Sequence, residues 1–342
     1  MPQKGLDRGP APRRPPKSRS VTTMLDILAI VAAFSALNLG LSIFNKWALD
    51  GSGTAFPSPS LYTMCHMIAS VLGALLIMAA IASQRTLSVA QAVQHWLPLG
   101  ALAVFFAGSL VLNAASLATL SISVNQILRA CTPLPQVLSA WLVEGKAIQP
   151  RLFAIVSSLC IFAAFAIPLG TASADVRGVV FAVGATVLVA AKQSVAAVLM
   201  GGGKKKSAHD GLTPVALVFY DGGLSFFYCL FAWVVQPAER DASIAYLRDR
   251  PALSLLVLGV GSTMAMLYNI ASFTLTKATS SVTSAVLGAA LKVGLIAMSA
   301  AFFEQETPHT PLNWIATFAF VGVLGAYVYD RQLATAAKKA EE

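Results

Sequence analysis

Apolar residues along this chain fall in long blocks separated by short polar joints. Ten such blocks are legible: residues 24–49, 61–83, 96–117, 121–143, 152–170, 177–200, 213–235, 252–275, 280–303 and 312–330. A helix rises 1.5 Å per residue, so about 20 residues cover the roughly 30 Å of hydrocarbon in a bilayer. The pattern predicts an all-α integral membrane protein with ten transmembrane helices. Its tightest joints lie between blocks three and four and between blocks eight and nine.

Two segments 160 residues apart are near-copies: Ala118, Thr119, Ser121 and Glu144 return as Ala278, Thr279, Ser281 and Glu304. This match lays the fourth block over the ninth and divides the chain five plus five. An odd number of helices per half gives the halves opposite topology, so the expected architecture is a 5+5 inverted repeat. Repeat 1 covers about 24–170 and repeat 2 about 177–330, within a transporter domain over 24–331. Residues 1–23 read as a disordered basic cytosolic tail and 332–342 as a second cytosolic tail.

Composition agrees with a membrane protein: 56% of residues are hydrophobic, 11% are charged and mean hydropathy is +0.71. Lys and Arg crowd one face, which carries the N-terminal tail, Arg85, Lys146, Arg151, Lys204–Lys206 and the C-terminus. Arg177, Arg240, Arg248 and Arg250 fall on the other. By the positive-inside rule both termini are cytosolic. The net charge of +9 is accounted for by this asymmetry, so no nucleic-acid partner is expected. The Pro-rich basic run from Pro10 to Arg19 reads as a positive-inside anchor that can also touch anionic lipid. It has no apolar core of the kind a secretory signal peptide carries.

Enzyme signals are sparse. Gly201-Gly202-Gly203-Lys204 lacks the first glycine of a phosphate loop, since position 198 is Val198. His66, His95, His209 and His309 are scattered, and Cys65, Cys131, Cys160 and Cys229 lie within expected spans as packing residues. No metal or cofactor is expected. A membrane-embedded transferase would need clustered Asp or His at a membrane face, which the sequence does not supply.

The chemistry gathers around Arg129 and Lys292, one in each near-copy. A cation at a helix centre costs at least about 2.5–3.5 kcal/mol in lipid, so such residues face a partner or a watery cavity. Thirteen residues, about 20 Å, separate Thr279 from Lys292, and Arg129 lies about 12 Å from Ser121 at the opposite face. Both cations therefore reach the central slab, where repeat interfaces hold solutes. An Arg fork and a mobile Lys point charge together suit a phosphorylated solute. The competing reading is structural ion pairing with Glu144, Glu304 or Asp221. Asp221 can equally neutralise Lys192 from the sixth block. Lys46 ends the first block and is explained by snorkelling.

From about residue 26 to 331 the chain resembles the triose-phosphate/nucleotide-sugar branch of the drug/metabolite transporter superfamily. The resemblance rests on Asn45-Lys46, Phe56-Pro57, Ser123 to Pro133, Tyr268-Asn269, and Ser281-Val282-Thr283 through Lys292. It implies ten helices in an inverted repeat and exchange of phosphorylated metabolites by alternating access. Two patterns compete within that branch. The triose-phosphate clamp is matched by Arg129, Tyr268 and Lys292, but Leu291 stands where it has a second cation. The GDP-mannose-type motifs resemble Phe219-Tyr220-Asp221-Gly222 and Gly288-Ala289-Ala290-Leu291-Lys292, with both base-reading asparagines changed.

The expected function is an antiporter of the Golgi or ER membrane that exchanges a nucleotide sugar for a nucleoside monophosphate. A sugar-phosphate/phosphate antiporter, as in a plastid envelope, is the alternative. Lys292, Arg129, Tyr268, Asp221, Tyr220, Asn269 and Lys192 are the expected substrate-binding residues. The expected partners are the solute, its counter-substrate and lipid, with a homodimer possible.

Overall fold

Proline opens most of the helices. It lacks the N–H that the first helical turn leaves unpaired, and its fixed φ suits that position. In the computed structural model, which describes residues 24–49, 54–81, 89–117, 120, 125, 128–166, 175–201, 211–302 and 310–341, every regular element is a helix. In order these are α1 (Met24–Leu49), α2 (Pro59–Ala80), α3 (Val89–Gln94), α4 (Trp96–Leu117), α5 (Pro133–Glu144) and α6 (Pro150–Ala166). They continue with α7 (Val176–Leu199), α8 (Pro214–Val235), α9 (Pro237–Asp249), α10 (Pro251–Ala278), α11 (Ser281–Phe302) and α12 (Pro311–Glu341). Side-chain caps close several starts. Ser58 Oγ accepts from Leu61 N at 3.1 Å, Asp175 from Arg177 N at 2.9 Å, and Thr213 from Ala216 N at 3.2 Å.

Seven of the described helices are long and apolar enough to cross a membrane: Leu25–Leu49, Pro59–Ala80, Trp96–Asn113, Val176–Leu199, Pro214–Val235, Pro251–Ala278 and Pro311–Asp330. Pro150–Ala166 and Ser281–Gly294 are shorter apolar segments. Large side chains such as Leu76, Leu142, Phe231 and Phe318 point outward, as lipid contact requires. The chain is an integral membrane protein.

Helices occupy each expected block, with differences at the edges. Of the expected helix over 121–143, the structure describes Asn125, a helical turn at 128–130, and α5. Residues 121–124 and 126–127 lie outside the described residues, as do 1–23, 202–210 with their glycine-lysine run, His309 and Glu304. Two helices were not anticipated. α3 is only six residues long, and α9 is too polar, with Glu239, Arg240, Asp241, Arg248 and Asp249, to register as an apolar block. α12 continues to Glu341, past the apolar stretch that ends at Asp330, through Ala-rich sequence of high helix propensity.

Packing brings the two halves together. α4 lies on α7, α2 on α8, α6 on α12, and α1 on α10, with α11 against α5. One core joins Leu102, Leu199, Leu217, Val218 and Phe273, and a second joins Val137, Val156, Leu159, Val286 and Phe320. Small residues permit the close approaches. A Cβ at Gly222 would meet the Met67 carbonyl of α2 at 3.2 Å and Ser70 Cβ at 3.3 Å.

Candidate functional site

A proline builds the centre of the site. In an uninterrupted helix the Arg129 carbonyl would accept from the N–H of residue 133. That residue is Pro133, which has none. The freed carbonyl takes other donors. It accepts from Thr132 N at 3.2 Å, from the Thr132 hydroxyl, and from Lys292 Nζ of α11 at 3.1 Å. Pro135 has the same effect on Cys131, whose carbonyl accepts from Cys160 Sγ at 3.4 Å and Leu134 N at 3.1 Å. A broken helix at membrane depth persists where its loose carbonyls are satisfied inside the protein.

Arg129 is fixed from its other end by amides. Its Nη1 donates to Asn113 Oδ1 of α4 at 3.2 Å. Asn125 Nδ2 donates to the same oxygen at 3.4 Å and to Ser116 Oγ at 2.8 Å. Tyr268 of α10 stands within electrostatic reach of Arg129. Its ring stacks on Phe34 with centroids 5.6 Å apart, and its hydroxyl accepts from Asn38 Nδ2 at 3.4 Å. α1, α4 and the turn before α5 thus meet α10 and α11 around two cations. Among the described residues neither Arg129 nor Lys292 is in an ion pair. Two cations held by neutral partners can bind an anion that accepts several hydrogen bonds.

Of the residues expected from sequence, Lys292, Arg129 and Tyr268 come together here. The others have partners elsewhere. Asp221 of α8 pairs with Lys192 of α7 at 2.6 Å, and Ser225 Oγ donates to the same carboxylate at 3.4 Å. Lys192 Nζ also lies 3.7 Å from the Phe106 ring centroid. The pair is buried, so Asp221 is committed to Lys192, the structural alternative raised from the sequence. Tyr220 packs edge-on against Phe219 with centroids 5.4 Å apart, and Asn269 Nδ2 donates to Ser70 Oγ at 3.5 Å, tying α10 to α2. Glu144 meets neither central cation. Its carboxylate accepts from the Ser281 hydroxyl and pairs with Lys146 at 2.5 Å.

Sequence reasoning missed Asn38, Asn113, Asn125 and the role of Pro133. They carry no charge, so a search for buried ions passes over them. The available signal was an amide within an otherwise apolar block, which in lipid requires a partner. At one end of the bundle a cavity of about 230 Å³ is lined by Lys146, Thr276, Lys277, Thr279, Ser280 and Ser281, among others.

A helical membrane bundle with an internal, cation-bearing polar centre has the form of a solute carrier. The chain belongs to the Triose-phosphate Transporter family, whose model matches residues 25–330. A probable sugar phosphate/phosphate translocator of Arabidopsis thaliana is 26% identical over 317 residues, covering 91% of this chain and 85% of that protein. UDP-uronic acid transporter 1 of the same plant is 25% identical over 289 residues, covering 82% of this chain and 88% of the relative. A crystal structure of another protein shares the fold at a TM-score of 0.59, with 15% identity, covering 91% of this chain and 99% of that one.

Proposed function

We propose that this protein is an antiporter that exchanges a nucleotide sugar for a nucleoside monophosphate by alternating access. The observation that carries this reading is the meeting of Arg129, Lys292 and Tyr268, from both halves of the chain, with no carboxylate partner for either cation among the described residues. A phosphate group supplies the missing negative charge and enough oxygens to engage the Arg fork, the ammonium and the tyrosine hydroxyl together. The family relatives named as translocators and a transporter support a carrier over an enzyme.

The proposed scaffold is ten spans in a 5+5 inverted repeat, with α3 and α9 as connecting helices. The packing supports it. A two-fold relation that places α1 on α7 and α4 on α10 carries the α1–α10 contact onto α7–α4, and both contacts are extensive. The same relation carries the α2–α8, α6–α12 and α5–α11 pairs onto themselves. The proposed membrane is that of the Golgi or ER, with both termini cytosolic.

A second reading, sugar-phosphate/phosphate exchange in a compartment such as a plastid, stays open on one observation. Asp221, the carboxylate placed to read a base, is occupied by Lys192. Counterflow in liposomes separates the two. Vesicles preloaded with GMP, UMP, CMP or inorganic phosphate are tested against labelled nucleotide sugars and triose phosphates. Stimulation by one nucleoside monophosphate is the expected result. Stimulation only by phosphate or triose phosphate would replace the first reading with the second.

A further inference from the structure

The Lys146 end of the bundle holds a carboxylate that the central site does not use. Glu144 is the last residue of α5, only 2% exposed, and its side chain is fully covered. Gly145 follows in the left-handed conformation at φ 68°, which turns the chain so that Gly145 N and Lys146 N both bond Ala140 O. That turn folds the Lys146 ammonium back onto Glu144 at 2.5 Å. The other carboxylate oxygen accepts from the hydroxyl of Ser281, the first residue of α11. A carboxylate there also meets the positive end of the α11 dipole. Ser280 Oγ accepts from Thr283 N at 3.1 Å, and the Thr283 hydroxyl bonds the Tyr327 hydroxyl at 2.9 Å. The α11 N-terminus is therefore anchored to α12 and joined to α5 through Glu144.

This contact joins the two halves at one membrane face. Ser281 and Lys146 line the 230 Å³ cavity at that end. Lys292 lies eleven residues further along α11, about 16 Å deeper. The carboxylate therefore binds the end of α11 that borders the cavity, and the central cations lie further along α11 and before α5.

We propose that the Glu144–Ser281 contact, backed by Lys146, is a latch that closes the central site toward the Lys146 face and must open in every exchange cycle. The proposal rests on the carrier reading, but its first test needs no substrate. Among the described residues, a Cβ added at Gly288, one helical turn before Lys292, meets no atom within 4 Å, so Gly288→Cys places a reporter thiol on the helix face that carries Lys292. The four native cysteines are replaced by alanine in this variant. A membrane-impermeant maleimide is then applied to proteoliposomes from the Lys146 face.

Loss of a charge-assisted hydrogen bond shifts a two-state equilibrium by about tenfold. Labelling in the Glu144→Ala background is therefore expected to rise by about that factor from this face, with thermal melting in detergent reporting folding. Equal labelling with and without Glu144, in folded protein, overturns the latch. A second variant, Glu144→Cys with Ser281→Cys in the same cysteine-free background, covers the case in which Glu144→Ala does not fold. Its oxidation should stop Gly288→Cys labelling from the Lys146 face and reductant should restore it; labelling unaffected by the crosslink overturns the proposal. If labelling obeys these expectations while no phosphorylated solute is exchanged, the carrier reading fails and the latch stands.

Discussion

At the scale of single residues, the two kinds of buried cation differ in what compensates them. Lys192 has a carboxylate at 2.6 Å, a hydroxyl bound to that carboxylate and an aromatic face. Lys292 has a backbone carbonyl and Arg129 an amide oxygen. The first arrangement suits structure and the second suits a ligand. Lys292→Ala should therefore cut exchange by at least about tenfold, since hydrogen bonds to charged groups contribute about 1.5–3 kcal/mol. Its melting temperature in detergent should stay close to the parent's, because no ion pair is broken. Initial rates in liposomes measured beside melting curves check both halves of that expectation. Asp221→Asn should behave in the opposite way. It leaves Lys192 charged without its counterion, so stability should fall by about 3–5 kcal/mol. The ranking of nucleoside monophosphates in counterflow should not change. A combined Asp221→Leu, Lys192→Met variant should melt well above Asp221→Asn, because replacing both charges removes the orphan.

At the scale of elements, the site depends on a helix that does not run through. Pro133 interrupts the segment that carries Arg129, and the interruption supplies the carbonyl that holds Lys292. Pro133→Ala restores an N–H in register with that carbonyl. It should leave the protein about as stable as before, since Pro133 opens α5, a position where either residue is tolerated. Exchange should nevertheless weaken, mainly as a raised apparent KM. Initial rates against substrate concentration measure this. The same segment marks how far the sequence could be read. Long apolar runs located α1, α2, α4, α7, α8 and α10 because hydrocarbon thickness dictates their length. The cations of the site were visible because a charge in such a run is costly. α9 was not visible, since a polar connecting helix has no such signature. Nor were Asn38, Asn113 and Asn125, whose significance lies in which helices meet, and periodicity does not specify that. The Lys192–Asp221 pairing was foreseen as an option, but only the α7–α8 geometry selects it.

At the scale of the whole molecule, polar contacts between the halves include groups at both ends and at the centre. Glu239 of α9 accepts from Ser58 Oγ at 2.7 Å and Ser60 N at 2.8 Å at one end, and Tyr246 donates to the Thr54 carbonyl at 2.8 Å beside it. The centre has Lys292 on the Arg129 carbonyl, and the far end has Ser281 on Glu144. Apolar helix faces between such contacts can slide without breaking directional bonds. The uncompensated centre has a further consequence. On the proposed antiport reading, an empty carrier that reorients carries Arg129 and Lys292 without a bound anion through a low-dielectric environment, whereas a loaded one carries a nearly neutral cluster. The bound anion is then a component of the barrier as well as the cargo. Efflux from loaded vesicles into solute-free buffer should be much slower than efflux into buffer containing a counter-solute, a difference that a filtration time course measures directly. The two unpaired charges would act as an interlock, coupling each outward passage to an inward one.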